Sequence, residues 1–160
     1  MKTFAVFNPT AGRGKAGKRW NELEQTLETV HGPITPCFTE YPGHATILTR
    51  QALKEGADQI IAVGGDGTVN EVVNGWFEND EPINPETSMS VLRCGSSCDF
   101  QQNLVPEAFI HLTPEDNPTD IKQIDLGKFT FLDESDGSSV RYYANICSMR
   151  LSGEVDRFLM

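Results

Sequence analysis

Short apolar runs alternate along the first part of the chain with segments whose apolar residues recur at helical spacing. The runs predict strands at residues 3–7, 34–39, 59–63 and 88–92. The helical spacing predicts helices at residues 16–30, 45–55, 69–77 and 106–112. Strands that alternate with helices are typical of an α/β fold, here a Rossmann-like three-layer arrangement with helices on both faces of a parallel sheet.

The pattern changes after about residue 119. Residues 121–126, 129–132 and 140–148 look like successive strands, and the polar stretch 133–139 is typical of a hairpin turn. The sequence therefore predicts an α/β domain over residues 1–119 and the beginning of a β-rich domain over residues 120–160.

The third predicted strand ends in Gly64-Gly65-Asp66-Gly67-Thr68, and a helical pattern follows at once. A glycine turn before a helix directs backbone N–H groups toward a phosphate. A carboxylate in such a turn, here Asp66, can hold Mg²⁺ or accept a proton from an attacking hydroxyl. The alternative is an ordinary turn, in which Asp is common because its side chain binds its own backbone.

Three other polar loops follow predicted strands. They are the loop that begins at Asn8, the residue Thr39, and the loop that begins at Gly95. In parallel sheets the carboxyl ends of the strands lie at one edge, and ligands bind there. The sequence therefore predicts a single ligand-binding edge that includes Asp66.

The formal net charge of −10 argues against a nucleic-acid partner and against broad adhesion to anionic lipid. Arg13, Lys15, Lys18 and Arg19 form a local basic cluster, which is either a solvated helix start or a source of positive potential near phosphates. No apolar run is long enough to span a bilayer, and the N-terminus lacks a secretory signal. We therefore expect a cytoplasmic protein without a transmembrane segment, with peripheral contact at the membrane.

Three of these loops resemble the motifs of the diacylglycerol kinase family, which includes sphingosine, ceramide and bacterial lipid kinases. Asn8-Pro9-Thr10-Ala11-Gly12 is similar to the family's nucleotide loop. The glycine turn at Asp66 continues as Asn70-Glu71-Val72-Val73-Asn74-Gly75, as in the family. Gly95-Ser96-Ser97-Cys98-Asp99-Phe100 is similar to the family's Gly-Thr-x-Asn-Asp-Phe loop. The resemblance extends to about Val155.

The resemblance implies an ATP-dependent lipid kinase that uses Mg²⁺ and transfers the γ-phosphate to a diacylglycerol- or sphingoid-like hydroxyl, with Asp66 as the catalytic residue. It implies nucleotide contacts at Asn8, Pro9, Thr10, Ala11, Gly12, Thr39, Gly65, Asp66, Gly67, Thr68, Val69, Asn70, Glu71 and Ser96. It also implies a metal and water network at Asp66, Asp99 and Asp125.

Simpler roles compete with several of these assignments. Asn70 and Glu71 can be first-turn residues favoured by the helix dipole, and Thr39 can be a helix cap. Asp99 and Asp125 can be structural.

The sequence also departs from the family pattern. Cys98 replaces an Asn, Arg93 stands near a usual Pro, and Arg150 lies where the family often has Gly. These departures weaken the part of the resemblance that concerns the lipid acceptor more than the part that concerns the nucleotide.

Two other functions compete with a lipid kinase. An NAD kinase or a phosphofructokinase-like sugar kinase shares Gly-Gly-Asp-Gly, and a nucleotide-binding module without catalysis is a further alternative. The Asn70–Gly75 continuation and the Asp125-Leu126-Gly127 crossover favour the lipid kinase.

The resemblance further implies that the family continues well beyond this length. We therefore expect either a truncated chain or a degenerate protein, and one that is itself catalytically silent because the part that would hold the lipid acceptor is incomplete. The lipid partner would be transient, and exposed strand edges would favour a homodimer.

Overall fold

A four-stranded parallel sheet forms the centre of the protein, with the strand order β2-β1-β3-β6. The structure is a computed structural model that describes residues 1–94, 123–132 and 137–144. The strands are β1 (Thr3–Phe7), β2 (Ile34–Phe38), β3 (Gln59–Gly64), β4 (Phe77–Glu78), β5 (Glu81–Pro82), β6 (Ser88–Arg93), β7 (Gly127–Leu132) and β8 (Ser138–Tyr143). The helices are α1 (Lys15–Lys18), α2 (Trp20–His31), α3 (His44–Lys54) and α4 (Asp66–Gly75).

The two central strands, β1 and β3, are buried along their whole length. They pair in parallel from Thr3 opposite Gln59 to Phe7 opposite Val63. Their nearly continuous apolar sequences fit a strand covered on both faces. Because both strands run in the same direction and in register, they end at the same level.

Helices cover both faces of this sheet. On one face Val6 packs in a cluster with Val72 of α4 and with side chains of α3. On the other face Phe7 and Ile61 pack in a second cluster with Leu27 of α2. The predicted three-layer α/β fold is therefore confirmed.

The helix predicted over residues 16–30 is divided into α1 and α2 by a break at Arg19, whose φ and ψ are −110° and 11°. The preceding short helix is fixed to the loop after β1, since the Gly17 N–H donates to the Pro9 carbonyl over 3.1 Å. A Cβ at position 17 would lie 2.9 Å from that carbonyl oxygen. The contact with the loop therefore fixes the position of α1, and α2 begins after the break at Arg19.

The prediction that Asp66 lies in the middle of a turn is wrong, because α4 begins at Asp66 rather than at residue 69. Gly65 precedes the helix in an extended conformation, and its carbonyl accepts the Val69 N–H over 3.1 Å. The helix also ends at Gly75, before the predicted end. The glycine-rich segment is thus a very short connection followed directly by a helical first turn.

The acidic stretch 78–86 contains part of a small antiparallel hairpin, β4–β5. Its turn residues Asn79 and Asp80 both have positive φ, 51° and 70°, as two-residue hairpin turns require. Asn and Asp tolerate this conformation better than most residues, so the sequence contained a turn signal that apolar periodicity does not detect.

The predicted hairpin near the end of the described chain is confirmed, since β7 and β8 pair in antiparallel orientation. The strand predicted over residues 121–126 is wrong for residues 123–126, which form neither helix nor strand and are exposed. The predicted helix 106–112 and the end of the strand predicted over 140–148 lie outside the described residues. The domain boundary near residue 119 stays a prediction.

The β7–β8 hairpin is attached to the C-terminal half of α4 through Asn74. The Asn74 Nδ2 donates to the Tyr142 carbonyl over 2.8 Å, and its Oδ1 accepts the Tyr142 N–H over 3.0 Å. The amide therefore pairs with the backbone of β8 as a neighbouring strand would. The rings of Phe77 and Tyr142 stack beside it, with centroids 3.8 Å apart.

Asp80 makes a second attachment to the same hairpin. Its carboxylate accepts hydrogen bonds from the Lys128 ammonium and from the Tyr142 hydroxyl. These bonds, the one from Lys128 first, lower the pKa of Asp80 below its ordinary value. The same carboxylate raises the pKa of Tyr142 to about 12. The charged carboxylate is thus the form that holds the hairpin.

We expect the stabilising effect of Asp80 to depend on pH. A lowered pKa contributes stability above the ordinary Asp pKa of 3.8, and this contribution is lost as the pH falls through the lower pKa of the folded protein. Asp80→Asn should therefore lower the melting temperature at pH 7 and have a progressively smaller effect below pH ~4. Thermal melting of both proteins across pH checks this, and a pH-independent difference would contradict it.

Because α3 packs closely on α4 at Gly75, any side chain at this position should destabilise the protein. A Cβ at Gly75 would lie 2.6 Å from the Thr46 carbonyl oxygen, whereas a Cβ at Gly67 of the same helix would meet nothing within 4 Å. Gly75→Ala should cost about 1–3 kcal/mol in the free energy of unfolding by overpacking. The matched control Gly67→Ala should be neutral or stabilising by up to about 1 kcal/mol. Urea unfolding measures both, and equal effects would contradict the packing argument.

Candidate functional site

The candidate crevice lies at the carboxyl ends of β1 and β3, where the topology of the sheet places it. The chain leaves β1 toward α1 and α2 on one face and leaves β3 toward α4 on the other face. Neighbouring strands whose connections leave toward opposite faces create the point at which parallel α/β sheets bind ligands. Asn8 follows β1 at this point, and Gly65 follows β3.

Asn8 joins the two sides of the crevice. Its backbone N–H donates to the Val63 carbonyl over 2.9 Å, and its Nδ2 donates to the Thr68 hydroxyl over 3.2 Å. Its Oδ1 accepts the N–H and the hydroxyl of Thr10, over 2.9 and 2.8 Å. Asn8 therefore organises the first loop and fixes it to the first turn of α4. The Thr10 hydroxyl, a predicted nucleotide donor, donates within this loop and would have to rotate to reach a ligand.

The rest of this loop packs against the end of β6. Gly12 has a φ of +61°, and a Cβ there would lie 2.6 Å from the Cys94 carbonyl oxygen. The Cys94 N–H donates to the Gly64 carbonyl over 3.0 Å. The end of β6 therefore belongs to the same edge. Ser96 and Asp99, which follow it in sequence, lie outside the described residues.

The first turn of α4 faces the crevice. Gly65 is its N-cap and provides no side-chain cap, and the first N–H groups of a helix carry partial positive charge. Gly67 is exposed, and nothing lies within 4 Å of the position that a Cβ would take. Asp66 is half-buried at the start of this turn. The turn can accept an anion over Gly67, with a carboxylate beside it.

Thr39 lies at the same edge, directly after β2. Its N–H donates to the Phe7 carbonyl over 2.9 Å, which places it beside the residue that precedes Asn8. The alternative role of Thr39 as a helix cap does not hold for α3, because Gly43 is the N-cap of that helix. Thr39 thus lies at the same edge of the sheet as the Asn8 loop, and its contact with a nucleotide stays a prediction.

Glu71 has a contact that the sequence argument missed. Its Oε1 accepts the Gly43 N–H over 2.8 Å, and its Oε2 accepts the Ala45 N–H over 3.1 Å. The Thr46 hydroxyl donates to the Glu71 carbonyl over 2.9 Å. A carboxylate of α4 therefore caps the start of α3. The signal in the sequence is Gly43-His44-Ala45, a helix start without a capping side chain of its own.

Four other predicted nucleotide contacts are Pro9, Ala11, Val69 and Asn70. Val69 and Ala11 belong to the core on opposite faces of the sheet, so only their backbones can face a ligand. The Pro9 carbonyl accepts the Gly17 N–H, as described above. The Oδ1 of Asn70 is buried and has no hydrogen-bond partner in the described part of the chain. Among these four residues, Asn70 therefore has a side-chain oxygen that accepts no hydrogen bond from the described residues.

Two of the three predicted metal residues, Asp66 and Asp125, lie in the described part of the chain. Asp125 is exposed in the irregular segment before β7. Within residues 1–94, 123–132 and 137–144, no three His, Cys, Asp or Glu side chains form a group that could hold a metal ion. Mg²⁺ in phosphoryl-transfer sites is held by one or two carboxylates together with substrate phosphates, and Asp66 beside an anion-accepting turn fits that donor set.

Comparison with known proteins agrees with this architecture. The profile of the diacylglycerol kinase catalytic domain matches residues 2–130. The chain therefore belongs to the diacylglycerol kinase catalytic domain family.

Individual relatives carry kinase names. A diacylglycerol kinase of Staphylococcus haemolyticus is 31% identical over 89% of this chain and 40% of its own length. The sphingoid long chain base kinase 5 of Saccharomyces cerevisiae is 29% identical over 62% of this chain and 16% of its own length. The crystal structure of a diacylglycerol kinase from Bacillus anthracis matches with a TM-score of 0.54 and 26% identity, over 64% of this chain and 36% of that one.

The chain spans half or less of the length of these curated relatives. Among the described residues, no helix combines the length and apolar character needed to cross a bilayer.

We expect the Glu71 cap to stabilise the protein independently of ligand binding. Glu71→Ala removes both acceptors from the start of α3 and should cost about 1–2 kcal/mol in the free energy of unfolding, as other helix caps do. Glu71→Gln keeps one oxygen acceptor and should cost less. Urea unfolding without added nucleotide measures this cost. An unchanged stability in the Ala variant would contradict the capping role.

Proposed function

We propose that this chain forms the nucleotide-binding half of an ATP-dependent lipid kinase, which transfers the γ-phosphate to a lipid hydroxyl. The observation that supports this most directly is the position of the first turn of α4. It faces the crevice between β1 and β3, it has open space over Gly67, and it is tied to the Asn8 loop. Membership of the kinase family supports the same reaction class.

In this proposal the phosphates bind over the start of α4. The backbone N–H groups of the first turn and the positive end of the helix dipole attract phosphate oxygens, and Gly67 leaves room for close approach. The Asn8 loop forms the opposing wall, with Gly12 held against Cys94. Phosphoryl transfer depends mainly on such positioning and on charge neutralisation.

Asp66 is the proposed catalytic residue. Its carboxylate lies at the start of the same turn, where it orients the acceptor hydroxyl or accepts its proton. The same carboxylate would hold Mg²⁺ together with the nucleotide phosphates, and the bound ion would supply neutralisation of the phosphate charge. Asp99 and Asp125 stay proposed members of this metal and water network.

The proposed acceptor is a diacylglycerol- or sphingoid-like lipid that the protein meets transiently at a membrane surface. The names of the relatives support a lipid acceptor, since they include diacylglycerol kinases and a sphingoid base kinase. A direct assay of each lipid can show which one is the acceptor. We also propose a homodimer, which a measurement of the oligomeric state would test.

The phosphate site can be tested by calorimetry with Mg-ATP on the 160-residue chain. Gly67→Val should weaken binding at least ~10-fold, because its side chain would occupy the space that the phosphates need. Gly67→Ala tests a smaller side chain, and both variants should keep the wild-type fold because this position is open. Equal affinity of wild type and the Val variant would contradict a phosphate site over Gly67.

The reaction can be tested in the natural protein that carries this sequence. Transfer of labelled γ-phosphate from ATP to diacylglycerol, sphingosine or NAD identifies the acceptor. Asp66→Asn keeps the size of the side chain but removes its charge, so transfer should fall by at least ~1000-fold while circular dichroism and melting temperature stay close to wild type. Near-normal turnover in the folded variant, or transfer to NAD alone, would contradict the proposal.

A further inference from the structure

An aromatic side chain stands exposed beside the candidate site. Tyr41 lies two residues after Thr39 and is 52% exposed, although it is one of the larger apolar side chains of the protein. Its ring stacks on the ring of His44, with centroids 4.4 Å apart and an angle of 4° between the planes. One face of the Tyr41 ring is thus covered by His44, and about half of the residue stays exposed.

The segment that carries Tyr41 crosses the edge of the sheet. It begins at Thr39, which is bonded to the end of β1, and reaches Gly43, which is bonded to Glu71 of α4. The Asn8 loop leaves the same edge toward the opposite face. Tyr41 therefore lies in the connection between β2 and α3, at the same edge of the sheet as the Asn8 loop.

The Tyr41–His44 pair is held in place by the backbone around it. The Tyr41 carbonyl accepts the His44 N–H over 3.1 Å, and the His44 Nδ1 accepts the Glu40 N–H over 3.1 Å. The ring of His44 is therefore fixed in orientation, and it supports a flat, pre-ordered surface on Tyr41.

We propose that the open face of Tyr41 binds the base of the nucleotide by stacking. This inference rests on the proposed function, because it adds a base subsite to the proposed phosphate site. A flat aromatic face that is already ordered gains stacking energy with little loss of side-chain freedom. Glu40 beside it is exposed and negative, which disfavours an anionic membrane as the occupant and is compatible with a neutral base.

The experiment compares two ligands that differ in the base. Calorimetry with Mg-ATP and with magnesium triphosphate, which lacks a nucleoside, is performed on wild type, Tyr41→Ala and Tyr41→Phe. Tyr41→Ala should weaken ATP binding roughly 5- to 150-fold and leave triphosphate binding unchanged. Tyr41→Phe keeps the ring and should bind ATP like wild type. Ile47→Ala is a matched control, because Ile47 of α3 is 50% exposed and should have no effect on either ligand.

The outcomes separate this inference from the proposed function. Binding of ATP with equal affinity by wild type and Tyr41→Ala would overturn the base subsite alone. Equal weakening of both ligands in Tyr41→Ala would also overturn it, because the residue would then act on the loop and not on the base. If folded wild-type protein binds neither ATP nor triphosphate, the phosphate site and the base subsite are overturned together. Melting curves of each variant confirm that the compared proteins are folded.

Discussion

The parallel pairing of β1 with β3 is the constraint on which the site depends. The two strands are buried, in register, and followed by connections to opposite faces of the sheet. Burial requires every backbone N–H and carbonyl of these strands to be paired, so the strands cannot slide without leaving polar groups unsatisfied. Asn8 and Gly65 are therefore held next to each other before any ligand arrives.

Two side chains extend this order from the strands to the loops. Asn8 uses all of its side-chain polar atoms on protein partners, which joins its own loop to α4. Glu71 does the same for the loop after β2, by capping α3 from the neighbouring helix. Both residues were predicted to touch the nucleotide. In the structure they hold in place the loops that would do so, and preorganised loops lose less conformational freedom on binding.

The sequence was sufficient to predict the fold and the edge at which the loops meet. Apolar runs and helical spacing reflect which side chains are buried in each strand or helix. The four strands of the central sheet were therefore located within one residue of their observed ends. The roles of single polar side chains depend instead on partners far away in sequence. The Glu71 carboxylate binds the backbone of Gly43, and the Asn74 amide binds the backbone of Tyr142. Neither contact produces a periodic pattern in the amino-acid sequence. The early start of α4 was missed because capping geometry is not encoded in apolar periodicity.

Helix α4 contacts a different part of the molecule at each end. Its first turn begins at Asp66, close to the carboxyl end of β3, and Asn74 near its last turn holds the backbone of β8. The helix packs on the sheet through buried valines such as Val69 and Val72, so its two ends are held at a fixed separation. One rigid element therefore carries both the candidate site and the attachment of the β7–β8 hairpin, and it sets the position of the hairpin relative to the first turn.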